Sequence, residues 1–104
     1  EAVAANGGVK VFLSGSAVGV YGSRGDEELT EASPPGSGFL ADVCKEWEAA
    51  TEPAERAGVR VAHLRTGVAL SPRAGALAKQ LPAFRAGGGA ALRSGKQWVS
   101  WVGV

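Results

Sequence analysis

The chain has 104 residues, and its 11 Lys and Arg against 10 Asp and Glu give a formal net charge of +1. Its mean hydropathy of +0.03 and its 45% hydrophobic residues are typical of one small globular domain. A charge this close to zero argues against a nucleic-acid partner or a polybasic membrane-binding surface. Its apolar stretches are far shorter than the roughly 20 residues that cross a bilayer, so we expect no membrane span.

The single cysteine, Cys44, excludes an intramolecular disulfide. With one histidine, His63, the chain offers no converging set of metal ligands, and we expect no metal site. A reducing, cytoplasmic setting fits this cysteine usage. The chain has no Met, begins at Glu1 and stops inside an apolar run at Val104. We therefore interpret it as an internal piece of a longer protein.

The first predicted strand covers residues 9–14, a β-branched and aromatic run that ends at Gly15. Residues 23–36 are polar and acidic and contain Pro34-Pro35-Gly36. They show no apolar period, so we expect a surface loop.

A helix is predicted from about Gly38, with Ser37 as its N-cap. This helix, or a second one restarted at Pro53, ends at Gly58. The spacing predicts a buried apolar stripe of Phe39, Leu40, Val43, Cys44 and Trp47, and a solvent-facing side of Asp42, Lys45, Glu46 and Glu48.

The second predicted strand covers residues 59–64 and is ended by Arg65-Thr66-Gly67. A helix follows over about 74–84, weakened by Pro82, and residues 97–102 are predicted to form a last strand. Strands that alternate with helices predict an α/β fold with a parallel sheet covered on both faces.

The end of the first strand carries a glycine pattern, with Gly15, Gly19 and Gly22. A phosphate-binding loop would need a helix to begin at the last glycine, but the acidic, aperiodic loop 23–36 follows, so we favour a tight active-site turn. Ser14, Ser16 and Tyr21 are hydrogen-bonding residues at this edge, where open α/β sheets bind ligands. The alternative is that Ser16 satisfies turn backbone and Tyr21 packs on the sheet, and the spacing leaves both open.

Three blocks, SAVGVYG at 16–22, WEAA at 47–50 and LRTG at 64–67, together resemble the YfcH-type epimerase family, an atypical branch of the extended short-chain dehydrogenase/reductases. The resemblance covers about residues 9–102. It implies an NAD(P)-binding Rossmann fold, of which residues 1–104 would be the C-terminal half without the glycine-rich strand–loop–helix. The chain would run into the substrate region from about residue 72.

The resemblance also implies roles for individual residues. Ser16 matches the serine that hydrogen-bonds the reacting oxygen of a small-molecule substrate. NADP is the implied cofactor, with NAD as the alternative. The implied cofactor-binding residues are Ser14, Gly15, Thr66, Gly67 and Val68.

One departure from the family affects the expected activity. Typical members carry Tyr-x-x-x-Lys on the helix as a proton-transfer pair, but Leu40 and Cys44 stand at those positions. Tyr21 is the candidate replacement phenol. Two functions stay open: an oxidoreductase or nucleotide-sugar epimerase in which Ser16 polarises the substrate oxygen, or a non-catalytic NADP(H)-binding regulatory or interaction protein. Arg65, at the end of a strand, is a candidate partner for a phosphate or for a core-edge carboxylate, and we favour the structural pairing with a carboxylate. His63 is expected to be structural.

Overall fold

The computed structural model describes residues 1–91 and 93–104. The chain divides into two compact units, Glu1–Thr66 and Gly67–Val104. Elements of the first unit are α1 (Ala2–Ala5), β1 (Val11–Ala17), a 3₁₀ helix (Val18–Tyr21), α2 (Phe39–Ala49), α3 (Glu52–Arg56) and β2 (Arg60–Thr66).

A parallel pair of strands forms the sheet of the first unit, as predicted. β1 and β2 run in register from Val11 opposite Arg60 to Ala17 opposite Thr66. The helices α2 and α3 form the crossover connection that parallel strands require. Both strands extend beyond their predicted ends, to Ala17 and to Thr66, because the β1–β2 hydrogen-bond ladder continues through Gly15 and Arg65.

Helices cover one side of this sheet. α2 contacts β1 and α3 contacts β2, on the side that carries Ser16 and Arg65. Side chains alternate along a strand, so Val11, Leu13 and Leu64 point to the opposite side, where they are exposed. The expectation that both faces are covered is therefore wrong for residues 1–66, since one crossover supplies a layer on one face only.

The predicted cap of α2 is also wrong. Gly38, not Ser37, is the N-cap, with φ 107° and no capping side chain. The reason lies in the returning loop, where the Gly36 N–H donates to the Val20 carbonyl at 2.9 Å. A Cβ on Gly36 would collide with the Tyr21 carbonyl. This close backbone approach fixes where the loop ends and holds it against Tyr21.

The buried face of α2 differs from the predicted stripe. Phe39 and Leu40 are 80% and 67% exposed, and Trp47 is also exposed. The side chains that face the sheet are instead those of Ala41, Cys44, Glu48 and Thr51, which recur at the 3–4 spacing of a helix. Cys44 is buried with Val20 and Tyr21 in the core of the unit, as expected for a small apolar residue.

The second unit holds the remaining elements. β3 (Val68–Leu70) pairs in parallel with β4 (Trp101–Gly103), and α4 (Gly75–Arg85) contacts β3. β3 is absent from the sequence prediction because three residues are too few to show alternation. β4 is shorter than the predicted 97–102. α4 continues through Pro82, which stands in its last turn.

Candidate functional site

The candidate site lies where β1 and β2 end together. Their parallel register places Ser16 directly opposite Arg65. Because residues opposite each other in a ladder point to the same side, both side chains face α2. The 3₁₀ helix that follows β1 then returns Tyr21 to the same edge. Two separate sequence regions are thus brought together by the sheet.

A carboxylate and a guanidinium form the centre of the site. The Arg65 Nε donates to Glu48 Oε1 at 2.9 Å, and its Nη2 donates to Glu48 Oε2 at 2.9 Å. Both side chains are mostly buried. Two parallel hydrogen bonds fix the guanidinium plane, so the position of Arg65 is set by α2.

Ser16 is joined to the same carboxylate. Its Oγ donates to Glu48 Oε1 at 2.7 Å, and the residue is 8% exposed. A serine hydroxyl has a single hydrogen. In this structure that hydrogen is used within the protein, and only the oxygen lone pairs of Ser16 are available as acceptors.

Tyr21 lies on the other side of Arg65. The Arg65 Nη1 donates to Tyr21 Oη at 2.8 Å and to the Glu31 carbonyl at 3.3 Å. The guanidinium carbon also lies 5.2 Å from the centre of the Tyr21 ring. Ser16, Glu48, Arg65 and Tyr21 therefore form one continuous network, which we call the edge network.

Thr51 and His63 extend this network towards α3. The Thr51 hydroxyl donates to the Glu48 carbonyl at 2.7 Å and lies 3.0 Å from His63 Nε2. Because the one Thr51 hydrogen is already used, Nε2 is the donor of the second bond. His63 Nδ1 then faces Glu48 Oε2 at 3.8 Å.

The charges in the edge network stabilise each other. Hydrogen bonds from Arg65, with a further one from Ser16, lower the pKa of Glu48 to about 2, although burial opposes this shift. The Glu48 carboxylate in turn raises the pKa of Arg65. Both groups are therefore charged at neutral pH and cancel as a pair.

A cleft opens beside Tyr21 and Arg65. Its volume is about 630 Å³. Val18 and Leu29 supply apolar walls, while Tyr21, Arg65 and Thr66 supply polar groups. Such a mixture of apolar lining and few convergent polar groups is typical of small-molecule sites. All of its lining residues belong to the first unit.

The predicted site residues divide between the two units. Ser14 lies opposite His63 in the ladder, Gly15 follows it, and Thr66 ends β2. Gly67 and Val68 belong to the second unit, where the Val68 N–H donates to the Ser100 carbonyl at 2.8 Å. A Cβ on Gly67 would lie 2.7 Å from that carbonyl, so a close approach to Ser100 explains this glycine.

Gly15 offers a test of whether a nicotinamide cofactor fits. It is exposed, and a Cβ built on it would meet no atom within 4 Å. Its φ is not positive. Neither its packing nor its backbone conformation within this chain demands a glycine, and the bare backbone leaves room for a flat ring at the end of β1. Gly15 faces the side of the sheet opposite to Ser16 and Arg65, and on that side a flat nicotinamide ring fits against β1.

The glycine pattern at the end of β1 does not provide a place for the pyrophosphate. Residues 22–38, which follow the glycine pattern, contain no helix whose N-terminus could hold a phosphate. The rejection of a phosphate-binding loop at Gly15–Gly22 agrees with this geometry.

Sequence reasoning missed Glu48 and Thr51. Glu48 was expected on the solvent-facing side of α2, but it faces the sheet. A signal was present, since Ala41, Cys44, Glu48 and Thr51 follow a helical 3–4 spacing in which Glu48 is the one charged residue. The large apolar residues of α2 masked that stripe. The expected pairing of Arg65 with a carboxylate is confirmed.

The described ranges of the chain are residues 1–91 and 93–104. They hold no group of three or more His, Cys, Asp or Glu side chains placed to bind a metal ion. None of their helices has the length and apolar character needed to cross a membrane.

Comparison with known proteins shows close relatives. An epimerase family protein of Mycobacterium bovis is 46% identical over 104 residues, which is 100% of this chain and 35% of that protein. The chain thus spans about a third of the length of this relative. No family model matches the chain.

Two solved structures share the fold. The nucleoside-diphosphate sugar epimerase from Corynebacterium glutamicum is 49% identical with a TM-score of 0.88, over 97% of this chain and 22% of that one. The human epimerase family protein SDR39U1 (isoform 2), crystallised with NADPH, is 26% identical with a TM-score of 0.65, over 90% of this chain and 32% of that one. These similarities confirm the α/β, Rossmann-type fold class.

Proposed function

We propose that this chain is part of an NADP(H)-binding protein of the extended short-chain dehydrogenase/reductase type, in the YfcH-type branch of the epimerase family. The observation that carries the proposal is the edge network at the carboxyl ends of parallel β1 and β2, beside an open cleft. Ligands of open α/β sheets bind at this edge. The relatives named epimerase family proteins, one of them crystallised with NADPH, support the same function.

In this proposal the cofactor lies along the end of β1 and the segment after β2. The cofactor-binding residues that the family resemblance assigns are Ser14, Gly15 and Thr66 in the first unit and Gly67 and Val68 in the second. NADP is preferred and NAD is the alternative. When bound, the nicotinamide would exchange a hydride with a small-molecule substrate, and residues from about 72 onward would contribute to the substrate region. The proposed location is the cytoplasm, because a single cysteine fits a reducing compartment.

The proposed reaction is an oxidation–reduction or an epimerisation of a substrate carbon that bears oxygen. The edge network supports it, because Ser16 and Tyr21, the two candidate catalytic residues, are held by one ion pair. Tyr21 would face the oxygen of the substrate in the cleft, beside the apolar side chains of Val18 and Leu29, and Ser16 would orient the ion pair behind it. This arrangement differs from a helix-borne Tyr-x-x-x-Lys pair.

A second candidate function is non-catalytic NADP(H) binding for regulation or for interaction with a partner. This function is favoured because the residues at the two positions of the usual proton-transfer pair cannot transfer a proton. Leu40 is exposed and Cys44 is buried in the core, and neither contacts the cleft. A leucine has no proton to transfer, and a core cysteine cannot reach a substrate.

Titration of the full-length protein with NADPH and NADH, followed by nicotinamide fluorescence, tests the cofactor. Selective NADPH binding supports the proposal, and binding of neither cofactor removes it. Turnover of carbonyl and nucleotide-sugar substrates by wild type and Ser16→Ala then separates the two functions. An enzyme loses turnover in Ser16→Ala with little change in NADPH affinity, whereas a non-catalytic protein has no turnover to lose.

A further inference from the structure

We propose that Tyr21, and not Ser16, donates the hydrogen bond that binds a ligand oxygen in the cleft. The ligand is an uncharged group that carries a carbonyl or hydroxyl oxygen. This inference rests on the proposed function, because it assigns the direct donor among its two candidate residues. Ser16 becomes a positioning residue that acts through Glu48.

The argument begins with the direction of the Arg65–Tyr21 hydrogen bond. A guanidinium carries five N–H donors and no acceptor. At 2.8 Å from Arg65 Nη1, the Tyr21 oxygen must therefore be the acceptor. The phenolic hydrogen of Tyr21 therefore points away from Arg65.

That hydrogen has no partner among the residues that the structure describes. Tyr21 is 9% exposed, so most of its surface is enclosed by the protein. A donor that has no acceptor within the protein can exchange a water of the cleft for a ligand oxygen. Tyr21 lines the cleft, so an oxygen bound there would satisfy the donor.

Ser16 is in the opposite situation. Its single hydrogen lies on the Glu48 carboxylate at 2.7 Å, and Ser16 does not line the cleft. Hydrogen bonds to a carboxylate are about twice as strong as neutral ones. Donation from Ser16 to a ligand would have to break such a bond, whereas donation from Tyr21 breaks none.

The charges of the cleft select an uncharged oxygen. Arg65 is the cation of its lining, and two of its hydrogen bonds go to Glu48, which cancels its charge. The backbone carbonyl of Glu31, another residue of the lining, accepts a further hydrogen bond from Arg65. A phosphate or carboxylate would thus find Arg65 already paired with Glu48, while a carbonyl or hydroxyl oxygen needs only the Tyr21 hydrogen.

Acetophenone labelled with ¹³C at its carbonyl is a suitable probe for the full-length protein. We expect its carbonyl resonance to move to higher frequency on binding, since donation to the oxygen withdraws electrons from the carbon. Tyr21→Phe should weaken binding about three- to tenfold, the range for one neutral hydrogen bond, and abolish that shift. Ser16→Ala should keep the shift, because its hydrogen does not reach the cleft.

An unchanged affinity in Tyr21→Phe, a shift lost in Ser16→Ala, or a wild-type protein that does not bind acetophenone at all would overturn the inference. If Tyr21→Phe does not fold, the wild type still decides. The inference then requires both magnetisation transfer from the Tyr21 ring protons to the acetophenone methyl and the carbonyl shift. The absence of either result overturns the inference. NADPH binding measured in the same samples tests the proposed function separately.

Discussion

Glu48 and Arg65 lie 17 residues apart, on α2 and β2, and form two parallel hydrogen bonds of 2.9 Å each. The pair does more than join a helix to a strand. Its carboxylate receives the Ser16 hydroxyl, and its guanidinium donates to Tyr21. Both candidate catalytic side chains are therefore oriented by one ion pair.

The first prediction concerns the stability that this pair supplies. Glu48→Gln keeps the shape but removes the charge that faces Arg65, leaving a mostly buried guanidinium without its counter-ion. We expect a loss of about 1–3 kcal/mol in the free energy of unfolding, measured by urea denaturation of the full-length protein.

Glu46→Gln is the matched control, because Glu46 is an exposed position of the same helix. Its effect should stay within about 0.5 kcal/mol. Equal losses in the two variants would show that the Glu48–Arg65 pair contributes nothing beyond an ordinary surface charge.

The second prediction is a dependence of stability on acid pH. Glu48 has a pKa of about 2 in the folded chain against an ordinary value of 4.5. A carboxyl whose folded pKa is depressed stabilises the fold above its unfolded pKa, and this contribution is lost as pH falls. Stability should therefore decline from about pH 4.5 towards pH 2 more steeply in wild type than in Glu48→Gln. Parallel curves for the two proteins would contradict the assignment.

The parallel strands, their helical crossover and the ligand edge were predictable from the sequence, because alternation and glycine punctuation are local signals. The edge network was harder to predict from the sequence. Arg65 was expected to pair with a carboxylate, but which carboxylate depends on how α2 rotates about its axis. That rotation is set by the small residues Ala41 and Cys44, which allow close packing, whereas the larger Phe39 and Trp47 dominate the apolar pattern.

The third prediction concerns the tautomer of His63. Since the Thr51 hydrogen is used by the Glu48 carbonyl, His63 must donate from Nε2. ¹⁵N spectra of the imidazole should show a hydrogen on Nε2. Thr51→Val removes the acceptor and should mix the two tautomers. A wild-type spectrum with the hydrogen on Nδ1 would refute this geometry.

The fourth prediction follows from the loop that holds Tyr21. Gly36→Ala places a methyl group against the Tyr21 carbonyl, so the backbone must shift. We expect a loss of about 1–3 kcal/mol in stability, the range for overpacking, together with weaker ligand binding at Tyr21. Thermal unfolding and the acetophenone titration measure these effects. Gly7→Ala, whose Cβ meets nothing within 4 Å, should change neither.

Gly15→Ala tests the proposed cofactor position most directly. No atom of this chain lies within 4 Å of the added Cβ, and alanine lowers the entropy of the unfolded chain. Stability should therefore hold or rise slightly. If the nicotinamide lies against Gly15, the same methyl group should weaken NADPH binding about tenfold, as overpacking does elsewhere. Unchanged NADPH affinity would remove Gly15 from the cofactor site. A loss of stability without cofactor would instead mean that another part of the full-length protein fills this space.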